Sequence, residues 1–329
     1  MDTLVTLLIN GLAQGALIFL MASGLSIILG FMGVINFAHG TLFLWGGYTY
    51  VWSYYTIRAQ VILRSFPEAR EMGSYGGILN ITSMEIPGGA TLPFYKELYI
   101  FIFSVIIAVA VVFLMGYIFE RLFINKVYSN APAQILITLG LQLVFTDLVR
   151  LIWGPSPFAI NRPPFLDGVT RLGNARIVHY NVFLIVVGLI VALVIHRILS
   201  KSKIGMVIRA GLQSPDHVQA IGINIKKYFT FVFAFGAALA GIGGALYMPF
   251  VGNVVSTVGM NNQILAFIVV IIGGLGNFYG TAMASVFIGL MGVAVAMFAP
   301  AFAVVANVLV MALVLIFKPE GLFGTAVSK

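Results

Sequence analysis

Runs of about twenty apolar residues recur from one end of this sequence to the other, and nothing else constrains its fold as strongly. A bilayer core about 30 Å thick is crossed by about 20 helical residues. Eight segments approach that length: Leu4–Gly30, Ile35–Ile57, Leu98–Phe119, Ala133–Trp153, Val182–Leu199, Tyr228–Met248, Thr281–Phe298 and Ala301–Phe317. A ninth stretch, Ile264–Leu275, is too short to cross comfortably. It runs into Gly273, Gly274, Gly276 and Gly280, which marks an interrupted or half-embedded helix. The expected fold is all-α, a polytopic transmembrane bundle of about eight to nine membrane segments.

Of 329 residues, 60% are hydrophobic and 9% charged, against roughly 25% charged in ordinary soluble domains. No hydrophilic block is long enough for a separate soluble domain, so residues 1–329 read as a single membrane domain. The opening MDTLVTLLINGLAQGALIF has no basic n-region and stays apolar beyond a signal-peptide core, so it reads as a retained first span. Cysteine is absent, which excludes disulfides and thiolate metal sites. The net charge of +8 is scattered over connections between apolar runs, as a topology signal rather than a nucleic-acid surface.

The connections are Arg58–Glu97, Glu120–Pro132, Gly154–Asn181 and Ser200–Lys227. The last carries Lys201, Lys203, Arg209, Lys226 and Lys227 against Asp216, with Arg197 just before it. The positive-inside tendency makes this 200–227 segment cytoplasmic, and counting spans backwards puts the N-terminus outside. Small residues four apart recur within spans: Gly11 and Gly15; Gly236, Ala240 and Gly244; Ser285 and Gly289. Such stripes let helix backbones approach closely in lipid, so they read as bundle packing.

No nucleophile, base and orienter constellation is present, so the chain is not expected to be an enzyme. Asp147, three residues before Arg150, reads as a local ion pair; proton or sodium coupling through it is the other reading. His39, His179, His196 and His217 show no metal-ligand spacing. His39 lies in Gly33-Val-Ile-Asn-Phe-Ala-His-Gly40, a polar and small-residue cluster between two spans. Two readings are open: a capped turn in which Asn36 and His39 satisfy backbone groups, or a polar lining beside a path. No phosphate-cradling G-x-x-x-x-G-K-[ST] loop occurs, so ATP hydrolysis in that manner needs a partner. The segment Ser214–Asn224 has two readings, a short helix docked in a groove of another subunit or a plain solvated connector. For the helix, Ser214 suits its cap, Pro215 its first turn and Asp216 its positive end, while Val218 and Ile221 form an apolar edge and Gly222 an exit.

Taken together, these segments resemble the permease subunits of branched-chain amino acid ABC importers, the LivH-like family. The resemblance rests on Gly24-Leu-Ser-Ile-Ile-Leu-Gly-Phe-Met-Gly-Val-Ile-Asn-Phe-Ala-His-Gly40, on Ala220-Ile-Gly-Ile-Asn224 and on Phe233–Leu246. It continues through Gly273-Gly-Leu-Gly276 and Lys318-Pro-Glu-Gly-Leu-Phe-Gly324. It implies a multi-pass subunit of a bacterial-type inner membrane, paired with a second related permease. Two cytoplasmic ATPase subunits and an external solute-binding protein are the other implied partners, with no cofactor or metal on this chain. The candidate substrate path, drawn from the polar cluster and the glycine block rather than from the resemblance, includes Asn36, Phe37, His39, Gly40, Gly273, Gly274 and Gly276. The implied ATPase-coupling residues are Ser214, Asp216, Val218, Ala220, Ile221, Gly222 and Asn224. Branched-chain or other hydrophobic amino acids are the leading substrate class. Permeases for urea, short amides or small carboxylates are alternatives within the family, and an ATP-independent channel or secondary transporter is the alternative outside it. Two departures bear on substrate: a long 58–97 loop, and Leu265-Ala-Phe267 where the family carries Lys-Ala-Phe.

Overall fold

The computed structural model describes residues 2–65, 92–128, 130–213, 218–219 and 222–323. Ser214, Asp216, Ala220, Ile221 and most of the 58–97 connection lie outside these. Ten α-helices are described: α1 (Asp2–Met32), α2 (His39–Ser65), α3 (Phe94–Leu122), α4 (Ala131–Trp153), α5 (His179–Lys201), α6 (Lys203–Gln213), α7 (Ile225–Val251), α8 (Val258–Gly273), α9 (Phe278–Phe298) and α10 (Ala303–Phe317). By length and composition, α1, α3, α4, α5, α7 and α9 are able to cross a membrane, while α8 and α10 are shorter apolar helices. The protein is a polytopic helical membrane protein.

The second span differs most from the sequence reading. Residues 35–38 are not helical; α2 starts at His39 and runs past Ile57 to Ser65. It is also rich in tyrosine and threonine, yet Phe43, Tyr48 and Tyr50 are at most 2% exposed. A stretch enclosed by protein, as residues 39–51 are, need not be apolar, because lipid does not meet it. The ninth stretch differs in the opposite sense. The polar run Asn261-Asn-Gln263 does not delay α8, which begins at Val258, because Asn262 and Gln263 are buried in the bundle and Asn262 donates to the Val258 carbonyl (3.0 Å).

Short strands occur in the connections at the end of the bundle where α1 begins. Phe158–Ala159 (β1) pairs antiparallel with Asn253–Val254 (β4), and Val169–Leu172 (β2) pairs with Ala175–Val178 (β3) across a Gly173-Asn174 turn. The Asn174 N–H donates to the Asp2 carboxylate at the start of α1 (3.0 Å).

The centre of the bundle is α1, α2 and α7, with α3 and α9 packed against them. The small-residue stripes are the seams. A Cβ added at Gly24 would strike the Gly236 carbonyl, one at Gly46 the backbone of Gly241, and one at Gly244 the Phe43 carbonyl. Along the α1–α9 seam, Gly11 and Gly15 face Leu290, Ser285 and Val286 at about 3 Å from such a carbon. Backbone-to-backbone approach of this kind replaces the hydrophobic drive that helices lack once both are in lipid.

Candidate functional site

Between α1 and α2 the chain turns back along the bundle. The His39 Nε2–H donates to the Met21 carbonyl (3.0 Å), more than two turns before the end of α1. The connection therefore climbs the inside of the bundle as non-helical chain, and its backbone groups need partners there. Other helices supply them. The Ile35 N–H donates to Gln134 Oε1 of α4 (3.4 Å), the Ile35 carbonyl accepts from Thr138 (3.5 Å), and the Asn36 carbonyl accepts from Gln263 Nε2 of α8 (3.3 Å).

The side chains are satisfied less completely. Asn36 and His39 are both 0% exposed. Neither amide atom of Asn36, nor Nδ1 of His39, nor Oε1 of Gln263 has a hydrogen-bond partner among the described residues. His39 thus satisfies a backbone carbonyl, as a capping residue does, whereas the Asn36 amide caps nothing. A buried unpaired amide costs about 1–3 kcal/mol. Phe37 packs on Phe267 of α8 (centroids 5.1 Å apart), and a Cβ at Gly40 would lie 2.5 Å from the Gly259 carbonyl. Asn36, Phe37 and Gly40 therefore meet one face of α8, while His39 turns to α1.

Gly273, Gly274 and Gly276 form a second centre where α8 passes to α9. Gly274 and Gly276 have φ of +92° and +77°, which side chains with a Cβ rarely adopt. Gly276 also lies against Gly30, 2.6 Å from an added Cβ to its Cα, so this joint is tied to the last turn of α1. The Lys318–Phe323 stretch closes over it: the Leu322 N–H donates to the Ile272 carbonyl (2.7 Å) and Asn277 Nδ2 to the Phe323 carbonyl (2.6 Å). The two glycine-containing motifs, distant in sequence, are one contact in space.

The 200–227 segment begins with α6, a helix the sequence reading did not include. Ser202 caps it, accepting from the Gly205 N–H (3.0 Å). Farther on, the Gly222 N–H donates to the Gln219 carbonyl (2.9 Å) and the Ile223 N–H to the Val218 carbonyl (3.2 Å), with Gly222 at φ +85°. This is the Schellman pattern of a helix end, consistent with Gly222 as an exit. Val218 is 4% exposed, so it packs within this chain. Asn224 stands at the N-cap of α7 without a side-chain capping bond. Close by, Tyr128 donates to Glu120 and packs edge-on against Phe229 of α7, while Gln134 Nε2 donates to the Val127 and Tyr128 carbonyls (3.1 and 3.0 Å). Burial, then the Glu120 carboxylate, pushes the Tyr128 phenol well above its ordinary pKa. Gln134 thus joins the α3–α4 loop at the base of α7 to the non-helical segment carrying Asn36.

Gln134, Thr138 and Gln263 were absent from the residues singled out in sequence. Their signal was present: polar side chains, two amides and a hydroxyl, within or bordering apolar spans, which lipid does not tolerate without a partner. The other histidines are separate, His179 bonded to Thr170 (2.8 Å) and His196 to Tyr279 (2.5 Å), and His217 lies outside the described residues.

Residues 7–318 match the family described as the permease component of branched-chain amino acid transport systems. The chain belongs to this family. Its curated relatives include the high-affinity branched-chain amino acid transport system permease protein BraD of Pseudomonas aeruginosa, 26% identical over 96% of this chain and 94% of the relative. LivH of Escherichia coli K12, with the same description, is 24% identical over 96% of this chain and 94% of its own length. A probable LivH permease of Methanocaldococcus jannaschii is 27% identical over 50% of this chain and 44% of that protein. No solved structure matches the chain. Within this permease, the segments that carried the resemblance are those that meet in space: Gly24 with Gly236, Gly30 with Gly276, and Gly274 with Gly321.

Proposed function

We propose that this permease is the membrane-spanning subunit of an ATP-driven importer and forms the path for branched-chain or other hydrophobic amino acids. On this reading it is a single inner-membrane domain in which α2, α8 and α10 join the six longer helices as membrane segments. It pairs with a second permease, carries no cofactor, and takes substrate from an external binding protein. Two ATPase subunits dock on the 200–227 segment, which faces the cytoplasm, and Ser214–Asn224 transmits their closure. The base of α7, Tyr128 and Gln134 then pass that movement to residues 33–38, and the Gly273–Gly276 joint allows α8 to shift.

One observation carries the placement of the path: a non-helical segment deep in the bundle whose Ile35 and Asn36 backbone groups are bonded to side chains of α4 and α8 but whose Asn36 amide is unpartnered among the described residues. Irregular backbone at membrane depth survives only inside protein or along a water-filled passage, and an amide kept unpaired in the closed state is available to a passing solute.

The test is leucine uptake into liposomes holding the chain with its partner subunits. ATP-dependent, vanadate-sensitive uptake is expected, falling about tenfold or more in Asn36→Ala. Uptake by this chain alone without ATP would overturn the importer reading. Normal uptake in Asn36→Ala and His39→Ala would overturn the path, and transport of urea, short amides or simple carboxylates in place of leucine would overturn the substrate class.

A further inference from the structure

At the end of the bundle opposite α6, a cavity of about 900 Å³ lies between α1, α5, α8, α9 and α10. Five amide side chains from four helices line it: Asn10 and Gln14 of α1, Asn181 of α5, Asn261 of α8 and Asn307 of α10. Thr6, Asn10 and Gln14 are four residues apart, so they share one face of α1. Among the described residues the one charged lining residue is Arg162.

Interhelical bonding does not account for this set. One such bond is present, from Asn181 Nδ2 to Asn10 Oδ1 (2.8 Å). Oδ1 of Asn181, a residue 5% exposed, and Oδ1 of Asn307 are buried without a partner among the described residues. Arg162 Nε is likewise unpaired, and its Nη1 reaches Asp167 only loosely, at 3.5 Å. Amides placed at membrane helices against a cavity, with hydrogen-bonding capacity to spare, are the pattern of a solute site rather than of packing.

We infer that this cavity binds a small zwitterion with an apolar side chain, an α-amino acid, before it reaches the Asn36 segment. Arg162 takes the carboxylate, for which its planar fork is suited. The amide oxygens take the ammonium group, and Ile264, Leu265 and Ile268 of α8 provide the aliphatic wall. Among the described residues no carboxylate lines the cavity, so a simple cation is disfavoured. The same helix turns Asn262, Gln263 and Ala266 into the protein, so α8 is the partition between this cavity and the buried Asn36 cluster.

The inference rests on the amino-acid reading above, and its test separates the two. Tritiated L-leucine is titrated onto the chain assembled with its partner subunits in lipid nanodiscs, without binding protein or nucleotide, while uptake is measured in liposomes. Saturable binding is expected, weakened about tenfold or more in Arg162→Gln and in Gln14→Leu. In the wild-type protein, L-leucinamide, which lacks the carboxylate, should compete at least about tenfold less well than L-leucine. Uptake without saturable binding, equal competition by leucinamide, or unchanged binding in folded Arg162→Gln would overturn the site and leave the transport reading standing. Absence of leucine uptake would overturn both.

Discussion

Helices α1 and α7 are as apolar as α4 over their best 18 residues, yet 72% of that stretch is buried in the first two and 17% in α4, as in α5. In water, such a difference would follow from hydrophobicity. In lipid it follows from the backbone, because tails receive leucine as well as a neighbouring helix does. The inner helices carry glycines that meet other backbones: Gly24 and Gly244 touch the Gly236 and Phe43 carbonyls, whereas Gly140 of α4 has nothing within 4 Å of an added Cβ. The largest expected effect breaks that seam. Gly244→Leu drives carbon into a carbonyl that cannot retreat, exceeding the usual cost of about 1–3 kcal/mol for overpacking. No monodisperse protein should survive size-exclusion chromatography in detergent, while Gly140→Leu should elute as wild type. Equal recovery of both would remove the distinction between inner and outer helices.

Charges show the same contrast. Glu97 of α3 is 3% exposed and accepts from Arg58 Nε (3.2 Å) and the Tyr54 hydroxyl (3.1 Å), both of α2. Removing one member of a buried pair costs about 3–5 kcal/mol; Arg58 retains some access to solvent, its side chain 19% exposed, so about 2–3 kcal/mol is expected for Glu97→Leu. Lowered thermal stability in detergent, largely restored in the Arg58→Met, Glu97→Leu double variant, would mark an uncompensated charge as the cause. A double variant no more stable than the single one would point to packing instead.

A smaller loss is expected where an outer helix reaches inward. Gln134 of α4 is 2% exposed and bonds to residues 35, 127 and 128. Gln134→Leu leaves the Tyr128 carbonyl and the Ile35 N–H short of a partner, while the Val127 carbonyl keeps the Asn130 N–H, a cost of about 1–3 kcal/mol. Because the site joins the base of α7 to the Asn36 segment, uptake should fall more than protein yield, with hydrolysis continuing uncoupled. Uptake and yield falling in parallel would reduce Gln134 to a structural pin.

The spans were legible because bilayer thickness imposes a length, and α1, α3, α4, α5, α7 and α9 lie where apolar runs place them. The start of α2 was not legible. Ile35 and Phe37 extend the apolar run, and nothing local says that Ile35 and Asn36 are held out of the helix by Gln134, Thr138 and Gln263 from two distant helices. α6 was missed because Ser202 caps a helix too short to read as a span. The cavity residues were missed for a different reason. Asn10 and Gln14 interrupt an apolar run by single residues, and only their spacing of four distinguishes a lined face from scattered polarity.

The smallest effect is expected at Asp147 on α4, the one acidic residue well inside a span. Coupling to protons or sodium would require a carboxylate reached from within the bundle, as Glu97 is by α2. Asp147 instead stands on the outer helix, its side chain 69% exposed, and accepts from Arg150 Nη1 three residues on (2.9 Å). Arg150 has a second partner, donating from Nε to Ser256 between α7 and α8 (3.1 Å), so its position does not depend on the carboxylate. An exposed pair of this kind contributes about 0–1 kcal/mol. Asp147→Asn should therefore leave thermal stability within about 0.5 kcal/mol and uptake unchanged in rate, in pH profile and in the absence of sodium. A shifted pH profile, or a sodium requirement lost in the variant, would make the outer helix part of the energy-coupling machinery and end its description as a lipid-facing support.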